Sequence, residues 1–338
     1  MNLTGLAKRA AKRVLMSTGA MPGLARLAPA SAAILMYHSV QHDPRSVSHS
    51  IGDGITHSAA VFESQMELLG REFSPVTIEE ICLFLEGRGR LPRRAVAVTF
   101  DDGFCDNYQI AAPILAKYGL RAAFYVTVGC VDTGRAPWFC RLRRAFCTTV
   151  VPHWHDFAAG RIWDLSDAGQ RVEARKSAMR QCAVLAGSRQ GELLERIEQS
   201  LGVEADGRCE GLMLQWSQLA AMRRAGHVIG SHSMTHPNLT RIGLLEARRE
   251  LCESKRLLED RLGEPVTHFS YPCAILPPHW NDHTEALTRE LGYRCAATSI
   301  PGVARGAQNP HQVPRIAAPL ELEEFRWALE ASFVGLRV

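Results

Sequence analysis

The stretch AVAVTFDDGFCDN, residues 95–107, decides how the chain is read. Small and β-branched residues run from Ala95 to Phe100 and read as a buried strand. The run ends in two adjacent carboxylates, Asp101 and Asp102, and then Gly103. Like charges held together raise each other's pKa, and burial raises both further. A fold that keeps them at a strand end must bring something positive to them. Alone, Asp-Asp-Gly also suits a solvated turn, so the compensating groups have to be found elsewhere.

Outward from this strand, short apolar runs alternate with helical patterns. Strands are expected at 32–37, 95–100, 122–128, 227–231, 266–270, 293–298 and 313–316, and helices at 107–118, 217–225, 242–262 and 284–291. Another helix begins at Thr77, with Glu80 in capping-box register, and stops at Gly87. Seven strands with helical connections and no GxGxxG turn predict a parallel α/β architecture, either a barrel or a doubly wound sheet. Residues 130–214 break the rhythm. They are rich in Arg, Ala, Glu and Gln at helical spacing and read as a helical insertion over one strand-to-helix loop, or as a solvated spacer.

The chain of 338 residues has 46% hydrophobic composition, a net charge of +4 and ten cysteines. That is enough for a substantial core in one large domain or two small ones. The mild positive charge comes without a nucleic-acid motif or a long Lys/Arg run, so no nucleic-acid partner is expected. The cysteines are scattered without a CxxC pair, which suits a reducing compartment. Residues 1–30 hold no apolar run long enough for a secretion signal. A cytoplasmic location is therefore expected, with the inner membrane face as a second address. Leu3, Leu6, Ala10, Val14 and Leu15 share a helical face, with Lys8, Arg9, Lys12 and Arg13 around the other. This basic amphipathic segment suits peripheral contact with anionic lipid, or a solvated helix.

The compensation for the aspartates is sought in IGSHSMTHPNLT, residues 229–240. His232 and His236, four apart after an expected strand, present both imidazoles to one side of a helical turn or tight loop. Two imidazoles and one carboxylate make a facial metal site with open positions. A divalent cation would offset the paired charge. One carboxylate would bind it and the other would stay free to act as a base.

TFDDG at 99–103, the segment after it, and HSMTH at 232–236 together resemble the polysaccharide deacetylases, the NodB-homology or carbohydrate esterase family 4 group. The resemblance covers roughly residues 32–318, apart from the insertion. It implies a distorted seven-stranded (β/α) barrel over residues 31–338. It also implies Asp101 as general base, and Asp102, His232 and His236 as ligands of Zn²⁺ or a similar cation, Co²⁺ and Ni²⁺ also suiting imidazole. The family's third motif is altered. In HFSYPCA, residues 268–274, Ser270 stands where an Arg is usual and Cys273 where an aromatic is usual. Arg315, in VPRI, is a candidate replacement. The Cys273 amide is assigned to the oxyanion, and Tyr271 and Arg315 to the oxyanion or substrate. The usual acid motif near the C-terminus is missing. AAILMYHSV, residues 32–40, resembles the first strand of circularly permuted members, which makes His38 the expected acid, with His311 next in line.

The resemblance thus implies a metal-dependent hydrolase removing the N-acetyl group of an amino sugar, in a glycan or a lipid-linked or nucleotide-linked precursor. Trp138, Trp154 and Trp163 of the insertion would offer flat faces to sugar rings or form its small core. Three rivals stand beside this reading: the same fold cleaving a formamide or cyclic imide, a non-catalytic glycan-binding protein, and a non-haem iron oxygenase. Asp101 argues against the last, because oxygenases need no such base.

Overall fold

The computed structural model describes residue 12, residues 14–204 and residues 211–336. Seven parallel strands curl into a barrel: β1 (Ser31–Tyr37), β2 (Ala95–Phe100), β3 (Ala122–Val126), β4 (Val228–Ser231), β5 (His268–Ser270), β6 (Cys295–Ala297) and β7 (Ile316–Ala317). Their order is β6-β5-β4-β3-β2-β1-β7. A parallel bridge between Ala297 and Val313, just before β7, closes the ring. The closure is thin because β7 is short and because Val303–Arg305 runs antiparallel along the rest of the same edge of β1. These strands fall within a few residues of the expected ones, and the closure decides for the barrel over the doubly wound sheet.

Both faces of the central strands are buried, so they read as unbroken apolar runs rather than alternating ones. Ala32, Ile34, Ala95, Ala97, Ala123 and Tyr125 share an inner cluster with Ile81 and Cys82 of the helix Ile78–Leu85. Leu35, Val96, Val98, Phe100, Phe124 and Val126, on the opposite faces, pack in a second cluster with the surrounding helices. The bore must be narrow. At Gly230 an added Cβ would lie 2.6 Å from the Tyr125 ring, so glycine is required there. Continuing the alternation beyond Ala95 and Ala97 places Thr99 and Asp101 on the inner side, at the C-terminal mouth.

Residues between β3 and β4 form the insertion. Its helices are α2 (Trp138–Thr148), α3 (Ala168–Ala183) and α4 (Gly187–Ser200). They pack around their own core, which contains Trp138, Trp154, Trp163, Leu142 and Leu194. The insertion is not wholly helical. His153–Asp156 and Arg161–Asp164 form an antiparallel hairpin with Trp154 opposite Trp163. Each strand is only four residues long, too short for its period-two pattern to stand out from the helical spacing around it. The three tryptophans are at most 7% exposed and belong to this core; Trp138 also lines the cavity described below.

Of the basic amphipathic segment, Leu3, Leu6, Lys8, Arg9, Ala10 and Arg13 lie outside the described residues. Helix α1 (Ala20–Leu27) packs against α6 (Leu322–Phe333), preceded in the chain by α5 (Leu244–Leu262). Lys12 pairs with Glu324 at 2.7 Å and lies over the Trp327 ring. Among the described residues no helix is long and apolar enough to cross a membrane.

Candidate active site

Asp101 follows β2 directly and is 3% exposed. Its amide donates to the Tyr37 carbonyl, which ties it to the end of β1. Arg315, one residue before β7, reaches across the barrel mouth and grips both carboxylate oxygens, each at 2.7 Å. The same guanidinium donates to the Thr298 carbonyl, Thr99 Oγ1 and Ser270 Oγ. Ser270 Oγ in turn donates to Asp101 Oδ2 at 3.3 Å. A small residue at 270 therefore leaves the room that Arg315 occupies. Burial pushes the Asp101 carboxyl up, but the Arg315 charge, aided by His232, outweighs it and holds the group well below the usual carboxylate range.

Asp102 turns away from this pair toward His232 and His236. His236 Nε2 lies 3.3 Å and His232 Nε2 3.6 Å from Asp102 Oδ1. One ligand atom from each of the three residues falls within 4.8 Å of the others, and all three residues are buried. The His232 Nδ1–H donates to the Ser270 carbonyl at 2.7 Å, so its Nε2 lone pair faces the Asp102 carboxylate. Two acceptors aimed at each other call for a positive charge between them, a proton or a cation. Burial drives the His232 pKa down to about 4, against the pull of Asp101, so the imidazole is neutral as a ligand must be. The donor set fits a divalent cation.

The ligand loop is held from behind. Glu250 of α5 accepts from the Met234 and Thr235 amides and from Thr235 Oγ1. The Trp138 indole of α2 donates to the His236 carbonyl at 3.0 Å, so the insertion braces a member of the triad. Gly129 is required beneath this loop, because a Cβ there would come within 2.7 Å of the Met234 carbonyl. Asp102, Ser233, His236 and Cys273 all have positive φ without being glycine. Such strain collects where surrounding structure over-determines a site.

His38 sits just past β1, on the strand end next to that of Asp101, and lines the same cavity. Its backbone is clamped. Asn107 donates to the His38 carbonyl, and Asp106 accepts from Ser39 Oγ, the Val40 amide and Gln41. Cys273 lines the same cavity, and its amide donates to no protein group among the described residues. Burial pushes its thiol up to about 12, so the side chain is inert. The Tyr271 ring lines the cavity, but its hydroxyl donates to the His311 carbonyl, away from it. His311 is buried against Thr288 and lies outside the cavity wall.

Sequence reasoning missed the bridging role of Ser270, the Asp106–Asn107 clamp, Ser299 with its partner His279, and the apolar walls. The DN at 106–107 was in view but carried no signal of what it would hold. The wall residues are single side chains scattered over four segments, with no motif at all.

A parallel barrel with a carboxylate–imidazole triad and a second, arginine-paired carboxylate at its C-terminal mouth defines a hydrolase of amide bonds. Residues 88–296 match the polysaccharide deacetylase family, and the chain belongs to it. It is an enzyme of the class that hydrolyses non-peptide carbon–nitrogen bonds, a deacetylase. A Bacillus subtilis (strain 168) protein provisionally named as a polysaccharide deacetylase, YxkH, is 22% identical over 289 residues, 85% of this chain and 71% of its own. The fold is shared with the Streptococcus pyogenes deacetylase PplD, solved with acetate (TM-score 0.59, 19% identity, 88% of this chain and 97% of that one). It is shared also with IcaB from Ammonifex degensii (0.58, 19%, 90% and 98%). A de-N-acetylase from Aggregatibacter actinomycetemcomitans shows the same likeness (0.55, 16%, 87% and 96%).

Proposed function

We propose that this chain is a cation-dependent deacetylase that hydrolyses the N-acetyl group of an amino sugar in a glycan or glycan precursor. The observation that carries the proposal is the division of two adjacent carboxylates, Asp101 to Arg315 and Asp102 to the two imidazoles. A divalent cation held by Asp102, His232 and His236, Zn²⁺ by default with Co²⁺ and Ni²⁺ as alternatives, would supply Lewis-acid polarisation of the amide and of the attacking water. Asp101 accepts the water's proton through a lone pair left over from its Arg315 contacts. Arg315 keeps that carboxylate ionised and fixes its direction. The Cys273 amide donates to the oxygen that becomes negative as the carbonyl is attacked. His38, at the neighbouring strand end, delivers a proton to the departing amine. The products are acetate and a free amino sugar.

The altered third motif favours a non-catalytic reading only if the base has lost its partner, and Arg315 supplies one. A cytoplasmic site of action, at the inner membrane face, is part of the proposal. Exposed Leu24 and Leu27 on α1, next to the basic N-terminal sequence, support contact of residues 1–30 with the bilayer. Acetate release from N-acetylglucosamine oligomers and from lipid-linked and nucleotide-linked N-acetylated sugars tests the function. Release that a chelator abolishes and added Zn²⁺ restores is expected. Turnover of a formamide or cyclic imide without acetate release from any sugar would overturn it.

A further inference from the structure

The walls of the cavity above the triad are unlike a track for a sugar polymer. The cavity holds about 430 Å³, within the range of sites that enclose a small ligand. Its apolar wall includes Ile51, Ile55 and Ile275, and Trp138, Phe139 and Met179 of the insertion. Ile275 is 49% exposed, a large aliphatic side chain standing at the mouth. Among the described lining residues there is no Asn, Gln, Glu, Lys or Thr. Beyond the groups around the triad, only Arg143, Arg175 and Ser299 of the described lining offer a polar side chain, so a polysaccharide laid through this space would bury more hydroxyls per unit than the wall can bond, and each unpaired hydroxyl is costly. A nucleotide fares no better, because no amide side chain on the described wall reads a base edge. Flexible aliphatic side chains suit an alkyl chain.

Two cations stand on the same wall, Arg143 of α2 and Arg175 of α3. Arg143 is set in place from below. Its Nε donates to the Ser48 carbonyl, and its guanidinium lies over Gly52, where an added Cβ would come within 3.2 Å of it. A guanidinium recognises phosphate oxygens in a planar, bidentate way.

We infer that the substrate is an N-acetylated amino sugar joined through a phosphate to an aliphatic chain, the sugar over the triad, the phosphate facing Arg143 and Arg175, and the chain against Ile55, Met179 and Ile275. The inference rests on the deacetylase reading and selects the lipid-linked substrate within it. The reaction is the same amide hydrolysis; the carrier is only bound.

The test compares four substrates below their micellar concentrations: methyl and decyl N-acetylglucosaminides, decyl phosphate-linked N-acetylglucosamine, and the N-acetylglucosamine tetramer. Each methylene taken from water into the wall is worth about fourfold. With part of the chain reaching the wall, kcat/KM should rise by about 100-fold from methyl to decyl, and by about 10-fold more with the phosphate. Met179→Ser and Ile275→Ser should shrink the decyl-to-methyl ratio, and Arg143→Gln the phosphate preference. Bound metal in each variant reports that the site still folds. Equal kcat/KM for methyl and decyl substrates, or a tetramer that outpaces both decyl compounds, overturns the inference while leaving the deacetylase reading intact. No acetate from any of the four overturns the deacetylase reading itself.

Discussion

Replacing Arg315 with Met would strip Asp101 of the guanidinium that grips both its oxygens, and the cost follows from the geometry. The pair is bidentate, with both contacts at 2.7 Å, and the partners are 3% and 1% exposed. Removing one partner of a buried pair typically costs about 3–5 kcal/mol, because the other charge stays buried. At about 2 °C per kcal/mol for a chain of this size, Tm should fall by roughly 6–10 °C. Differential scanning calorimetry on chelated protein measures this without a contribution from metal binding. The effect has a signed pH dependence. A carboxyl whose folded pKa is depressed adds stability above its unfolded value, about 3.9, and loses it as pH falls through the folded value. Without Arg315, burial alone acts on Asp101 and raises its pKa, so the gap between wild type and Arg315→Met should be largest at neutral pH and narrow as acid protonates the uncompensated carboxyl. Arg315→Lys, which returns the charge without the fork, should recover part of it. A loss under 2 °C, or a gap that ignores pH, would refute the claim that Arg315 compensates Asp101.

The triad, the proton carriers and the buried imidazoles give three further tests. Asp102→Ala, His232→Ala and His236→Ala should each lose most bound cation, read by elemental analysis, and full occupancy in all three would remove the metal assignment. Asp101→Asn and His38→Ala should keep the metal and each lose about 10²–10⁴-fold in kcat. An activated aryl amide should partly rescue His38→Ala but not Asp101→Asn, and wild-type rates in His38→Ala on the natural substrate would move the acid elsewhere. His57 and His279, driven down to about 4 chiefly by burial, are neutral in the fold and protonated when unfolded, so stability should drop as pH falls from about 6.5 to 4. His57→Gln should flatten that slope in urea titrations, and an unchanged slope would show that His57 does not contribute.

The barrel strands were legible because burial on both faces writes them as short apolar runs, and the triad because its residues sit in two compact segments at strand ends. The hairpin at 153–164 was not, since four-residue strands carry too few repeats to show a period. Arg315 was visible as a candidate, yet only the closure of β6 on the segment at 313 brings it to Asp101. Cavity walls drawn from loops leave no pattern to read. The N-terminal segment stays an expectation, with Lys12 engaged by the protein's own Glu324.

The Asp101–Arg315 pair also sets an order on synthesis. Its members are 214 positions apart. At about 5–20 residues per second, roughly 10–40 s separate their departure from the ribosome. For that interval a nascent barrel would have to bury Asp101 beside Asp102 with no cation to meet it, so the first strands wait open. The insertion, with its own tryptophan core, has no such dependence and can fold meanwhile. Arrival of the last strand is then what lets the barrel close, and a chain released before residue 315 would be left with an open sheet for proteases and chaperones to find.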